Sequence, residues 1–138
     1  PELGLTRNGG ALVAEVLREG AVAPDAFTGG ELTHFRAAFC REGVATAAVN
    51  YYRAIGREGI RSLLPWHGQG DPTVPVPTLV LWGEQDDALS PRLLDGLGAW
   101  VPDLTVERYH DAGHWLLADR PGAVSRRLAA FLAGGDDA

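Results

Sequence analysis

Lysine is absent from these 138 residues: all 12 basic side chains are arginine, set against 18 acidic ones. The formal net charge is -6 and the pI is near 5.1, which argues against a nucleic-acid binder. A single cysteine, Cys40, excludes an internal disulfide and a cysteine-cluster metal site. It leaves a reducing, cytoplasmic compartment as the expectation. No apolar run approaches the roughly 20 residues that a membrane-spanning helix needs, so no membrane is expected. Methionine is also missing, and Pro1 opens the chain. That predicts a chain cut from a longer product. No signal peptide, metal-ligand cluster or phosphate-binding glycine loop is visible, and no cofactor is expected. Hydrophobic residues make up 46%, which excludes a disordered tail for most of the length. The length suits one domain at most.

Two halves differ in rhythm. Residues 1–64 read as a helical segment, 65–77 as a linker, and 78–138 as a strand-helix-strand-helix unit. In the first part, Leu12, Val13, Val16 and Leu17 have helical spacing over Ala11 to Glu19, and Gly20 ends the run. Thr28-Gly29-Gly30-Glu31 has the spacing of a capping box before a helix over Glu31 to Cys40. A third helix is expected from about Val44 to Arg57. Together they read as a cover rather than a deep core.

After Pro72, Pro75 and Pro77, the run Thr78-Leu79-Val80-Leu81-Trp82 reads as a strand buried on both faces. Ser90-Pro91 is the start signal for a helix to about Trp100, weakened by Gly96 and Gly98. Leu104 to Tyr109 is the second strand, and Pro121 opens a last helix that Gly134 and Gly135 stop. A parallel sheet of two strands has an unpaired edge beside Leu79 and Leu81. The expected fold class is therefore α/β, parallel strands with crossover helices, incomplete without strands supplied from elsewhere.

In open parallel sheets, chemistry sits beyond the carboxyl ends of the strands. The loops leaving those ends are Gly83-Glu84-Gln85-Asp86-Asp87 and His110-Asp111-Ala112-Gly113-His114-Trp115. An acid from the first and a histidine from the second can share a hydrogen bond that orients the imidazole. Taken singly, Asp86 and Asp87 read as turn residues and His114 as a structural histidine, with His110 its rival. No nucleophile is apparent: Ser62, Ser90 and Ser125 lack a Gly-x-Ser-x-Gly elbow, and Cys40 reads as a buried structural thiol. His67-Gly68-Gln69-Gly70 precedes a strand and reads as linker.

Three motifs resemble soluble epoxide hydrolases of the α/β-hydrolase fold. Asn50-Tyr51-Tyr52-Arg53 resembles that family's lid signature. Leu81-Trp82-Gly83-Glu84-Gln85-Asp86 resembles the strand and loop that carry its catalytic acid. Ala112-Gly113-His114-Trp115, followed by Pro121, resembles its histidine loop. The resemblance covers about residues 25 to 133 and corresponds to the lid and the last two strands. It implies Asp86 as the acid, with Asp87 as fallback, His114 as the base and Tyr52 as a lid tyrosine. An aspartate nucleophile in the missing N-terminal half, from the same parent chain or a separate polypeptide, then opens a small apolar epoxide. His114 activates the water that hydrolyses the resulting alkyl-enzyme ester. The fragment alone is expected to be inactive. A dehalogenase or a serine esterase of the same fold uses the same acid and histidine. A reading of another class is a non-catalytic remnant or swapped-dimer binding module.

Overall fold

The computed structural model describes residues 2–61 and 71–134, so the first part of the linker, 65–70, with its His67-Gly68-Gln69-Gly70 stretch, lies outside the described residues. The described chain forms two compact units: Pro1–Val16 with Thr28–Pro72, and Leu17–Phe27 with Thr73–Ala138.

The first unit is helical. Helix α1 (Glu2–Glu19), which runs on into the second unit, is broken at Arg7–Gly10. Asn8, Gly9 and Gly10 have φ of 53°, 63° and 74°, so the amphipathic run begins at Ala11, as its apolar spacing predicts. The left-handed turn is held by Arg36, whose Nε donates to the Gly9 carbonyl at 2.9 Å and Nη2 to that of Asn8 at 3.2 Å. Gly10 is required there: besides its positive φ, a Cβ would lie 3.0 Å from the Arg36 carbonyl oxygen.

Helix α2 (Gly29–Phe39) starts with the capping box the sequence announces. Glu31 N–H donates to Thr28 Oγ1 at 3.2 Å, and Thr28 N–H donates to Glu31 Oε2 at 2.8 Å. Cys40 caps the other end and is exposed. The expectation of a buried thiol fails: Cys40 is exposed at the helix end, its Sγ 3.9 Å from the Thr6 carbonyl oxygen. Helix α3 spans Val44–Arg61, and Val13, Ala14, Leu32 and Ala45 are the buried apolar side chains of this unit.

The second unit carries a parallel pair, β1 (Thr78–Gly83) and β2 (Leu104–Tyr109), in register from Thr78 opposite Leu104 to Gly83 opposite Tyr109. Among the described residues the sheet has these two strands only. The side chains of β1 up to Trp82 are half-buried, not enclosed on both faces as its unbroken apolar run predicts. Two strands supply too little cover for that.

The crossover differs from expectation. Ser90 does cap, accepting from Arg92 N–H at 3.3 Å with Pro91 in the first position. Two short 3-10 turns, Pro91–Leu94 and Leu97–Ala99, then replace the single helix to Trp100. Asp95 is extended and Gly96 is left-handed (φ 78°), so the hydrogen-bond ladder cannot propagate. Helix α4 (Leu116–Asp119), which the sequence did not announce, comes after the second loop. Helix α5 (Pro121–Leu132) is next, and Gly134 with φ 75° ends the run. Leu17, Val101, Ala112 and Val124 are the buried apolar side chains here.

Candidate active site

Parallel strands ending level put the two loops against each other. Glu84 N–H donates to the Tyr109 carbonyl at 2.9 Å, and Gln85 N–H donates to that of Ala112 at 3.0 Å. Gln85 Nε2 adds a bond to the His110 carbonyl at 2.8 Å. This approach needs a glycine at position 83. A Cβ there would lie 2.7 Å from the Ala112 carbonyl oxygen and closer still to that of Gly113.

The loops bring Asp86 and His114 together, with Asp86 Oδ2 3.0 Å from His114 Nδ1. The other carboxylate oxygen, Oδ1, accepts the N–H groups of Ala88 and Leu89 at 2.8 and 2.9 Å, which fixes the side chain on its own turn. An ionised carboxylate only accepts, so Nδ1 carries the proton and Nε2 is left as an acceptor. That is the tautomer a general base needs. The Trp115 ring stands edge-on to the imidazole at 4.9 Å and in turn meets Phe27 edge-on at 6.2 Å. The Asp86 side chain is 9% exposed and that of His114 34%, so the acid is enclosed and the base accessible.

The alternatives fall elsewhere. Asp87 is exposed. His110, 85% exposed, pairs through Nδ1 with Glu84, which also lies 3.7 Å from Arg108. Ser90 serves as a cap, Ser125 is exposed on α5, and Ser62 lies outside the described residues. Tyr52 is on α3 in the other unit, 74% exposed, with its ring edge-on to Tyr51 at 5.5 Å. Its neighbour Arg53 is held by Asn50 Oδ1 at 3.0 Å and by Glu2 at 2.8 Å. The Asn and Arg of that motif therefore fix the helix, and both tyrosines remain open. Among the described residues, no group of histidine, cysteine, aspartate or glutamate side chains could hold a metal ion. No described helix is long and apolar enough to cross a membrane.

Burial pushes the Asp86 carboxyl up, but the hydrogen bonds from His114, Leu89 and Ala88 outweigh it and hold it below the usual aspartate value. A folded value below the unfolded one means that the unfolded chain takes up the proton first. The resulting stability is present above the unfolded value and is lost as pH falls through the folded one. Denaturant unfolding at stepped pH is expected to show a loss of stability beginning below about pH 4 that Asp86→Asn flattens. An acid limb identical in the two proteins would contradict this arrangement.

One buried group had no sequence signal. Asp119, 5% exposed, ends α4 and accepts backbone N–H groups from Gly113, six residues before it, and from the distant turn at Val22 and Ala23. The spacing of five residues after His114 and the Pro121 signal place it near a helix start, but nothing local marks it as buried.

The sequence pattern of the α/β hydrolase fold matches residues 28–121. Epoxide hydrolase A of Mycobacterium tuberculosis is 33% identical over 108 residues, 75% of this chain and 31% of that protein. Epoxide hydrolase 3 of Xenopus tropicalis is 33% identical over 93 residues, 67% of this chain and 23% of that protein. An AB hydrolase superfamily protein of Bacillus subtilis, YfhM, is 27% identical over 109 residues, 79% and 36% of the two chains. Among solved structures, an epoxide hydrolase of Bacillus megaterium superposes with a TM-score of 0.77 at 22% identity, over 96% of this chain and 47% of that one. The chain thus spans between about a quarter and about half of the proteins it matches.

Proposed function

This chain belongs to the α/β-hydrolase fold family, and from that premise we propose that it supplies the acid, the histidine base and the lid of an epoxide hydrolase. The observation that carries the reading is the 3.0 Å Asp86–His114 pair on adjoining strand-end loops. The likeness to epoxide hydrolases supports the choice of reaction. The nucleophile comes from strands outside these 138 residues, in the same parent chain or a second polypeptide. An aspartate there opens the epoxide by attack at carbon, forming an alkyl-enzyme ester as the C–O bond of the ring breaks. Tyr52 donates a proton to the oxygen that leaves, since a donor placed where negative charge develops lowers the barrier most. His114 Nε2 then takes a proton from water as that water attacks the ester carbonyl, and Asp86 stabilises the imidazolium. The imidazolium returns its proton to the departing alkoxide and the proton of the released carboxylic acid restores the Tyr52 phenol, which leaves a diol and the free aspartate nucleophile.

Residues 1–64 serve as the lid segment, 65–77 as the linker and 78–138 as the end of the catalytic core. The substrate class is a small apolar epoxide, and the compartment is cytoplasmic.

The test is an epoxide-hydrolysis assay of this chain alone and co-expressed with the sequence upstream of Pro1. Activity is expected only in the assembled form, with a second fragment co-purifying by mass. Hydrolysis by a lone 14.7 kDa monomer would overturn the proposal. In the assembled enzyme, Tyr52→Phe is expected to slow epoxide opening about 10- to 100-fold and ester hydrolysis by little. An unchanged epoxide rate would remove Tyr52 from the mechanism.

A second reading has one observation behind it: a human monoacylglycerol lipase, ABHD6, is 30% identical over 86 residues. With a serine nucleophile upstream, the same pair would serve ester hydrolysis. The paired epoxide and ester rates decide between the two.

A further inference from the structure

We infer that Asp119 is a positioning residue for His114, holding the Ala112–Gly113 peptide on the approach to it; this rests on the reading of Asp86 and His114 as acid and base. Asp119 Oδ2 accepts the N–H of Gly113 at 2.8 Å. Its Oδ1 accepts the N–H groups of Val22 and Ala23 at 2.8 and 2.9 Å. The three bonds tie the histidine loop to the turn after α1, and all these residues belong to the second unit.

The Ala112–Gly113 peptide is the key element. Its carbonyl accepts from Gln85 N–H on the acid loop, while its N–H donates to Asp119. The carbonyl and N–H of a trans peptide point in opposite directions. That plane is therefore clamped from both sides, and it sets where the His114 backbone begins. A side chain does not fit at Gly113, because a Cβ on it would meet Val22 Cγ2 at 3.1 Å and the carbonyl oxygens of Gln85 and Gly20 at 3.2 Å. A carboxylate buried to 5% exposure is costly unless hydrogen-bonded, and three short N–H bonds are what makes it tolerable. An asparagine of the same shape has one acceptor oxygen and turns an N–H₂ toward one set of these donors. It cannot hold both stretches.

The test reads the ring of His114 and the backbone amides by NMR in the 138-residue chain itself. Asp119→Asn is expected to speed exchange of the Gly113 amide at least about tenfold, the equivalent of one lost hydrogen bond. The ratio of the Nδ1–H to the Nε2–H tautomer of His114 should fall by a similar factor, while the β1–β2 amides keep their protection. A freed Gly113 amide with an unchanged tautomer ratio would overturn the inference, because a merely structural brace gives that result. Should the variant not fold, Asp119→Glu takes its place with the same two readouts. Faster Gly113 exchange together with a lower tautomer ratio is expected, and an unchanged ratio would overturn the inference. Asp86→Asn separates this from the underlying reading. If that change leaves the His114 tautomer untouched, the pairing itself fails, and with it any role for Asp119 in setting it.

Discussion

In the enzyme assembled with its upstream strands, His114→Ala is expected to lower steady-state epoxide hydrolysis by about a thousandfold while the first turnover survives. The expectation follows from the roles proposed for Asp86 and His114. Asp86 Oδ2 lies 3.0 Å from Nδ1 and is itself held by two backbone N–H groups, so the imidazole is presented with Nε2 free. General-base catalysis contributes about 10²- to 10⁴-fold, and losing the base from the ester-hydrolysis step costs that factor in the step it serves. In the proposed mechanism, ring opening by an upstream aspartate does not use this base. The kinetic signature is therefore a burst of one equivalent of substrate consumed, then near silence. Rapid-quench kinetics reads it directly. A variant that turns over without a burst and within about tenfold of the parent would contradict the assigned role. Asp86→Asn should lose less if Asp87 took over the pairing; Asp87 is exposed one residue on, and no such rescue is expected.

Gly83→Ala is expected to be the most damaging single methyl group in the second unit. The added Cβ would meet the carbonyls of Ala112 and Gly113, the former at 2.7 Å. Neither is a flexible side-chain end. Both belong to the loop that delivers His114, and the Ala112 carbonyl already accepts from Gln85. Relief demands that the two loops separate, breaking the 3.0 Å Gln85–Ala112 bond and moving Asp86 from His114. Overpacking of a fixed backbone contact costs about 1–3 kcal/mol, with the lost hydrogen bond adding about 1 kcal/mol. Urea unfolding of the chain should show a drop of about 3 kcal/mol, with the downfield His114 ring proton lost. Gly98→Ala is the control, since nothing lies within 4 Å of a Cβ there. Equal losses for the two would mean that the close approach of the loops carries no weight.

Much of this architecture was legible because it is local. The capping box at Thr28 and Glu31 is a four-residue pattern, and it formed as written. The strands were marked by apolar runs between proline and glycine, and their boundaries agree with Thr78–Gly83 and Leu104–Tyr109 to within a residue. The acid and histidine were legible as a pair because parallel strands joined by one crossover must end side by side.

The features that escaped depend on residues far apart in sequence. Asp119 looks like an ordinary helix-end aspartate until the fold brings the N–H groups of Val22 and Ala23 to it, 97 and 96 positions away. The need for Gly83 comes from Ala112 and Gly113 across the sheet, so locally it reads only as the end of a strand. The crossover departs from its sequence signal for a different reason. Ser90-Pro91 is a sound start signal, but a start does not set a length, and the left-handed Gly96 stops the helix after one turn. The break at Asn8, Gly9 and Gly10 is a cluster of breaker residues whose conformation depends on Arg36 from another helix.

Central to the proposed mechanism is that Asp86 and His114 would hydrolyse an ester formed on a nucleophile outside this chain. Intact-mass spectrometry of the assembled His114→Ala enzyme, taken after incubation with excess epoxide, tests it most directly. One substrate mass is predicted on the upstream fragment or segment, mapped by proteolysis to an aspartate, with residues 1–138 unmodified. An enzyme that consumes its epoxide with no adduct, or an adduct on a residue within these 138, would contradict it.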